Sequence, residues 1–330
     1  MPTAHLNASR RHCLAAAVSL AAIGPLSVMA QSDYPQKPIR IIVGYPPGGS
    51  VDMAARVLAD VLSARLQATV VVENLSGAAG TVAAQKVVSS PADGYTLLAG
   101  SSNEMAATGQ VNPTQKYDPL RDLTPIGLLA TAPVMLVASP KVGIKSLVEF
   151  IAQVRKSPGR YSYGSSGVGS TLHFAGELVK QRAGLFMTHI PYRGTAPLTN
   201  DLIGGAIEFA MMSPTAAAPF IQSGRLIGLG VTSAQRFPGT PDVPALSEHP
   251  SLKGYEMAGW FALAAPKGLP PAITQRLRAA LQEGLKDPAI RKRLQEGGAI
   301  PAAGQEDIIA VMREDSARYA ALVKFANVTP

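Results

Sequence analysis

Cysteine occurs once in the 330 residues, at Cys13. A single thiol excludes an intramolecular disulfide framework and any Cys-rich zinc site. Charge is also scarce. Asp, Glu, Lys and Arg make up 16% of the chain, too little for a long coiled coil, and 47% hydrophobic residues exclude disorder throughout. Aromatics amount to 5%, and the net charge of +8 is spread along the chain without a basic-aromatic patch, so no nucleic-acid partner is expected. After residue 30 no apolar run approaches 18 residues, which leaves no candidate spanning helix there. The chain has no HExxH, GxSxG, GxxxxGK[ST] or GxGxxG. Past residue 30 its histidines are His173, His189 and His249, none grouped with carboxylates at metal-ligand spacing. Neither a metal nor a cofactor is expected, and no fixed-period repeat argues for a solenoid or propeller.

What is present begins with an address. Arg10 and Arg11 precede an uncharged stretch from Cys13 to Val28, and Val28-Met29-Ala30 stands before Gln31. This is the order of a secretory signal peptide over residues 1–30, with cleavage expected after Ala30. The apolar stretch, broken by Gly24 and Pro25, is short for a retained membrane anchor. Ser9-Arg10-Arg11 leaves twin-arginine export as the second route. Removing 30 of the 330 residues leaves 300, takes the only cysteine and two arginines, and lowers the formal charge from +8 to +6. A thiol-free exported chain suits an oxidising compartment.

The remainder has the length of two globular lobes and is punctuated by 31 Gly and 27 Pro, counted over the whole chain. Ile39 to Val43 reads as a strand, 44–50 as a Gly-rich loop, and Val51, Ala54, Ala55, Leu58, Val61 and Leu62 as the apolar stripe of a helix. Strands at Val70 to Val72 and Tyr95 to Leu98 and a helix at Thr81 to Val88 complete a βαβαβ unit. Near-continuous apolar runs predict parallel strands covered on both faces. The order returns with a strand at Pro133 to Val137, a helix at Leu147 to Lys156, a strand at Tyr161 to Tyr163, a Gly/Ser loop from Gly164 to Ser170, and a helix carrying Leu172, Ala175 and Val179. Strands follow at Met187 to Pro191, Phe209 to Met212, Leu226 to Thr232 and Ala258 to Ala264, and a helix opens near Thr195. The last helices are expected over 272–285, 289–296 and 306–325.

Ligands of such sheets sit at the carboxyl ends of the parallel strands, where helix N-termini present unsatisfied N–H groups to anions. Tyr45, Pro47, Gly48, Gly49, Ser50 and Asp52 occupy one such junction. Taken singly, Ser50 and Asp52 read as an N-cap and as a complement to the helix dipole, while the loop as a whole reads as a ligand contact. Ser165, Ser166, Gly169, Ser170 and Thr171 occupy the other. Together the loops suit one carboxylate. His173 lies early in its helix and reads better as packing or capping than as a base for Ser165 or Ser166, although that pairing defines a secreted serine hydrolase as the alternative. Glu104, beside Ser102 and Asn103 beyond the third strand, reads as a solvated loop charge or cap; facing a cleft it would repel a carboxylate. Arg193 suits either a bidentate anion contact or a surface salt bridge.

With these residues in view, the chain resembles the Bug family of periplasmic solute receptors, the substrate-binding components of tripartite tricarboxylate transporters. The resemblance spans nearly all of residues 33–325. It is carried by Tyr34-Pro35, Pro47-Gly48-Gly49-Ser50-Val51-Asp52, Val72-Glu73-Asn74, Asp93-Gly94-Tyr95-Thr96-Leu97, Tyr117-Asp118-Pro119, His173 with Gly176-Glu177-Leu178, Pro191-Tyr192-Arg193-Gly194, Val231-Thr232-Ser233 and Gly254-Tyr255-Glu256. The resemblance implies an α/β, two-lobed periplasmic-binding-protein fold of type II, a Venus flytrap with mainly parallel sheets in each lobe. Lobe 1 is expected over 31–130 and 229–330, and lobe 2 over 131–228. It implies a small organic acid held by N–H groups and hydroxyls of the two loops, without a required arginine, and delivered to integral-membrane transporter subunits by a non-enzymatic monomer in the periplasm. A ligand sensor that contacts a signalling partner is the other alternative. The chain departs from the family pattern at Met211-Met212-Ser213, where an Asp is common, and at Asn103-Glu104, where a Thr-His pair is common. Met212 and Ser213 are therefore candidate ligand contacts, and Met212 suits an apolar or aromatic ligand body.

Overall fold

The computed structural model describes residues 34–112 and 115–328, so the signal peptide and its cleavage lie outside the described residues. From Lys37 onward the described residues form one compact unit. Strand β1 (Ile39–Val43) runs into helix α1 (Ser50–Leu66), followed by β2 (Val70–Asn74), α2 (Thr81–Val88) and β3 (Thr96–Ser101). The apolar stripe of α1 is buried at every expected position from Val51 to Leu62. Directly after β3, Asn103–Ala107 form a π-helical turn. Then come α3 (Pro119–Asp122), β4 (Leu123–Pro133), β5 (Met135–Ala138), α4 (Leu147–Lys156), β6 (Ser162–Ser165), α5 (Thr171–Ala183), β7 (Thr188–Pro191) and α6 (Thr195–Gly204). The chain continues through β8 (Phe209–Met212), α7 (Pro214–Gln222), β9 (Ile227–Val231), β10 (Ala258–Pro266), α8 (Pro271–Leu285), α9 (Pro288–Glu296), β11 (Ile300–Pro301) and α10 (Ile308–Phe325).

These strands make two sheets, ordered β11-β4-β10-β3-β1-β2 and β7-β6-β8-β5-β9. Both are mixed, which corrects the expectation of mainly parallel sheets. Parallel pairing is confined to β1 with β2 and β3, and to β6 with β7 and β8. Strands β10, β4 and β11 run antiparallel in the first sheet, and β5 is antiparallel to both its neighbours in the second. An apolar strand buried on both faces reads the same in either direction, so the run alone cannot report its polarity. Strand β2 departs differently: it is an edge whose residues alternate in exposure, and Val71 faces solvent although it sits inside a Val-Val-Val run.

The chain passes between the sheets twice, at Val134 and after Val231. The two crossings are bonded to each other. Thr232 donates its N–H to the Val134 carbonyl at 2.8 Å, and the Val134 N–H reaches the Thr232 hydroxyl at 2.7 Å. Both residues are buried. The second sheet has its own apolar core, in which Met135, Val137 and Met212 pack with Leu198, Leu202 and Ile207. Among the described residues, no helix is long and apolar enough to cross a membrane.

Candidate functional site

A cavity of about 350 Å³ opens where α1, α5 and the crossing strands meet. Its wall takes Tyr45, Pro46, Pro47 and Gly49 from the loop before α1, Ser50 and Val51 from the first turn of α1, and Ser101, Ser102 and Asn103 from the end of β3. Ser166, Ser170, Thr171 and Leu172 come from the entry to α5, and Ser213 from the entry to α7. The crossing Ala132-Pro133-Val134 and the β10 segment Gly259-Trp260-Phe261 complete it. Among the described residues, no charged one lines the cavity.

The helix starts differ in what they leave open. Gly49 caps α1 in extended geometry (φ −77°, ψ 167°) and supplies no side-chain acceptor, so the first-turn N–H groups have no partner within the helix. Asp52 lies in that turn but is turned away from the cavity. It accepts from Gly48 N at 2.9 Å, Asn74 Nδ2 at 2.8 Å and the Arg56 guanidinium at 2.9 Å. Burial pushes its carboxyl up, and these hydrogen bonds outweigh burial and hold it below the usual Asp range. At α5 the Ser170 hydroxyl accepts from His173 N at 3.2 Å, leaving the N–H groups of Thr171 and Leu172 without intrahelical partners. At α7 the Ser213 hydroxyl accepts from Ala216 N, and Pro214, the first residue, has no N–H.

The floor is a hydrogen-bonded chain that joins the two sheets' elements. Thr171 donates to Asn103 Oδ1 at 3.1 Å, Asn103 Nδ2 donates to the Tyr45 hydroxyl at 3.1 Å, and Ser102 Oγ lies 3.4 Å from Thr171 Oγ1. Gly259 lets this floor close, because a Cβ there would stand 3.3 Å from Ser102 Oγ. Beneath it lies Glu104, fully buried, which corrects its expectation as a solvated charge. Its carboxylate accepts from Ser101 N at 2.6 Å, Ser101 Oγ at 2.5 Å and the Tyr45 hydroxyl at 2.9 Å. Burial dominates and pushes the carboxyl up to about 7. The same burial, with Glu104 alongside, raises the Tyr45 hydroxyl well above the usual tyrosine range.

Of the residues singled out from sequence, Tyr45, Pro47, Gly49, Ser50, Ser102, Asn103, Ser166, Ser170, Thr171 and Ser213 come together in this wall. The others do not line it. Met212 is a core residue of the second sheet, because all four residues of β8 are covered on both faces. Arg193 is exposed. Gly48 (φ +85°) and Gly169 (φ +78°) serve the turns, in a conformation that disfavours residues with a Cβ. Ser165 is fully buried and sits 2.7 Å from His189 Nε2 rather than against His173. His173 accepts from Gly169 N at 3.2 Å and stacks on His189 with ring centroids 4.0 Å apart. Burial holds both imidazoles down, His173 to about 4 and His189 to about 3, so the pair stands neutral as a prop under the Gly/Ser loop. Sequence reasoning missed Val134 and Phe261. A chain-crossing residue and a strand more than 200 positions after Tyr45 carry no local signal of a shared wall.

Comparison with known proteins bears on this site. Residues 54–328 match the family described as "Tripartite tricarboxylate transporter family receptor". The chain is 35% identical over 291 residues to Protein BugT of Bordetella pertussis, covering 88% of this chain and 89% of BugT. Among solved structures it is similar to Rpa4515 of R. palustris with adipate, with a TM-score of 0.78 and 33% identity over 90% of this chain and 100% of that one. It is also similar to the periplasmic binding protein BugD, with a TM-score of 0.74 and 32% identity over 90% of this chain and 99% of BugD.

Proposed function

The chain belongs to the tripartite tricarboxylate transporter receptor family, and from that premise we propose that its cleft captures a small organic acid in the periplasm and delivers it to integral-membrane transporter subunits. The observation that carries this reading is the uncapped first turn of α1, which shares with the start of α5 a cavity whose wall has no charged side chain. A carboxylate placed there completes both helix starts with backbone N–H groups and sits at the positive ends of two dipoles, each contributing about 0.3–1 kcal/mol, or up to ~2 where partly buried. Ser50, Ser166, Ser170 and Thr171 stand beside it, while Asn103 and Tyr45 hold the floor. The two lobes, expected over 31–130 with 229–330 and over 131–228, exchange a few residues further on, at the hinge pair Val134–Thr232, since β4 stays in the first sheet to Pro133 and β9 in the second to Val231, and the ligand is enclosed between them. The protein acts as a monomer without catalysis, in its mature form after loss of residues 1–30. The adipate-bound relative supports the ligand class.

The test is a thermal-shift screen of small organic acids on protein unfolded and refolded free of bound ligand. At a hundredfold excess over Kd the right acid stabilises by about 2.7 kcal/mol and raises Tm. Stabilisation by cations or amides alone, with no acid active, refutes the carboxylate reading.

A further inference from the structure

Resting on the reading above, we propose that the ligand is a monocarboxylate with an apolar body, aromatic or aliphatic, and not a dicarboxylate or an amino acid. The open donors suffice for one anion. Among the described residues, α1 and α5 bring the open first-turn N–H groups to this wall; at α7 Pro214 has no N–H and the Ser213 hydroxyl caps Ala216 N, which leaves Thr215 N–H, and Thr215 does not line the cavity. The polar side chains of the floor are already bonded to one another. Asn103 spends both ends of its amide on Tyr45 and Thr171, and Ser170 accepts from His173 N while donating to Gly167 O at 2.7 Å.

Away from those helix starts the wall turns apolar, through Pro47, Pro133, Val134 and Phe261. A second carboxylate would be desolvated there without a cation, since no Lys, Arg or His lines the cavity. An amino acid meets the converse problem: its ammonium finds no acid in the wall, because Asp52 is turned away and paired with Arg56. An apolar body needs none of these partners and gains from leaving water.

Isothermal titration of the refolded protein with hexanoate, benzoate, adipate, glutamate and benzamide tests this. Hexanoate or benzoate is expected to bind at least about tenfold more tightly than adipate or glutamate. Adipate or glutamate binding equally or more tightly overturns the inference and leaves the carboxylate reading standing. Benzamide matching benzoate, or no acid binding at all, overturns both. A second arm uses Pro47→Arg at an exposed wall position outside both helices, which brings a cation to the apolar wall and is expected to shift the adipate-to-hexanoate affinity ratio about tenfold towards adipate. An unchanged ratio in a folded variant means that this wall does not meet the far end of the ligand, and overturns the inference.

Discussion

Glu104 shows how a single residue can mislead when read from its neighbours in sequence. Ser-Ser-Asn-Glu suggests a polar loop, yet the following Met105, Ala106 and Ala107 are all buried and draw the turn inward, taking the carboxylate with them. In the fold it holds Tyr45 and Ser101, two wall residues, from below. Its carboxyl titrates near 7 instead of 4.5, so the folded protein retains a proton that the unfolded chain has released between those values. The unfolded state then binds fewer protons than the folded one, and this group's contribution to stability falls as pH rises from 4.5 to 7. Glu104→Gln cannot titrate. Its stability relative to the wild type is expected to improve by about 3 kcal/mol between pH 4.5 and 8. Urea denaturation of both proteins across that range measures the difference, and parallel stability curves would show that Glu104 titrates as an ordinary acid. Ser170 and Thr171, by contrast, were legible in sequence because a Gly/Ser run before a helix has a local physical meaning. Met212 was not, since whether a strand-end methionine faces a cleft or a core depends on what covers it.

At the scale of elements, α1 was legible down to its buried positions, because its period and its Gly-Gly-Ser start are local properties. Strand β4 was invisible. Its Leu-Thr-Pro-Ile-Gly-Leu-Leu-Ala-Thr-Ala-Pro run contains two prolines and a glycine, residues that argue against a strand. The fold tolerates them because β11 pairs with β4 only at Ala130 and Thr131, leaving most of that side unpaired, and the ladder to β10 shifts register twice. Helix α7 was missed for a similar reason, with Pro214 opening it and Pro219 inside it. The missing side-chain cap of α1 leads to a prediction in which stability and function move in opposite directions. Gly49 has ordinary extended geometry, and a Cβ there meets nothing closer than Pro46 O at 3.6 Å, so Gly49→Asp is sterically tolerated. The new carboxylate caps the helix and stabilises the unliganded protein by a few tenths of a kcal/mol, up to about 1. It also occupies the donors proposed for the ligand and repels it, so affinity for the best acid should fall at least about tenfold. A raised Tm with unchanged affinity, read by scanning calorimetry and titration, would place the ligand elsewhere.

For the molecule as a whole, the element that governs assembly is the bonded pair at the crossing, Val134 and Thr232. The Thr232 hydroxyl is the hydrogen-bond partner of the buried Val134 N–H, so Thr232→Val leaves that group unsatisfied and should cost about 1–3 kcal/mol, whereas Thr232→Ser retains the bond. Chemical denaturation of the three proteins checks this, and equal losses for Val and Ser would trace the effect to lost packing. The pair lies 98 positions apart and neither member is unusual locally, which is why only its short Val-Thr-Ser segment stood out in sequence. Composition, period and turn chemistry in the sequence alone determined that this chain builds βαβ units with Gly/Ser loops at helix starts, because those signals act over a few residues. Tertiary structure alone decided strand direction, the burial of Glu104 and Met212, and the meeting of Val134 and Phe261 with both loops in one wall. Those outcomes depend on which distant surfaces cover one another, and burial sets both the charge state and the reach of a side chain.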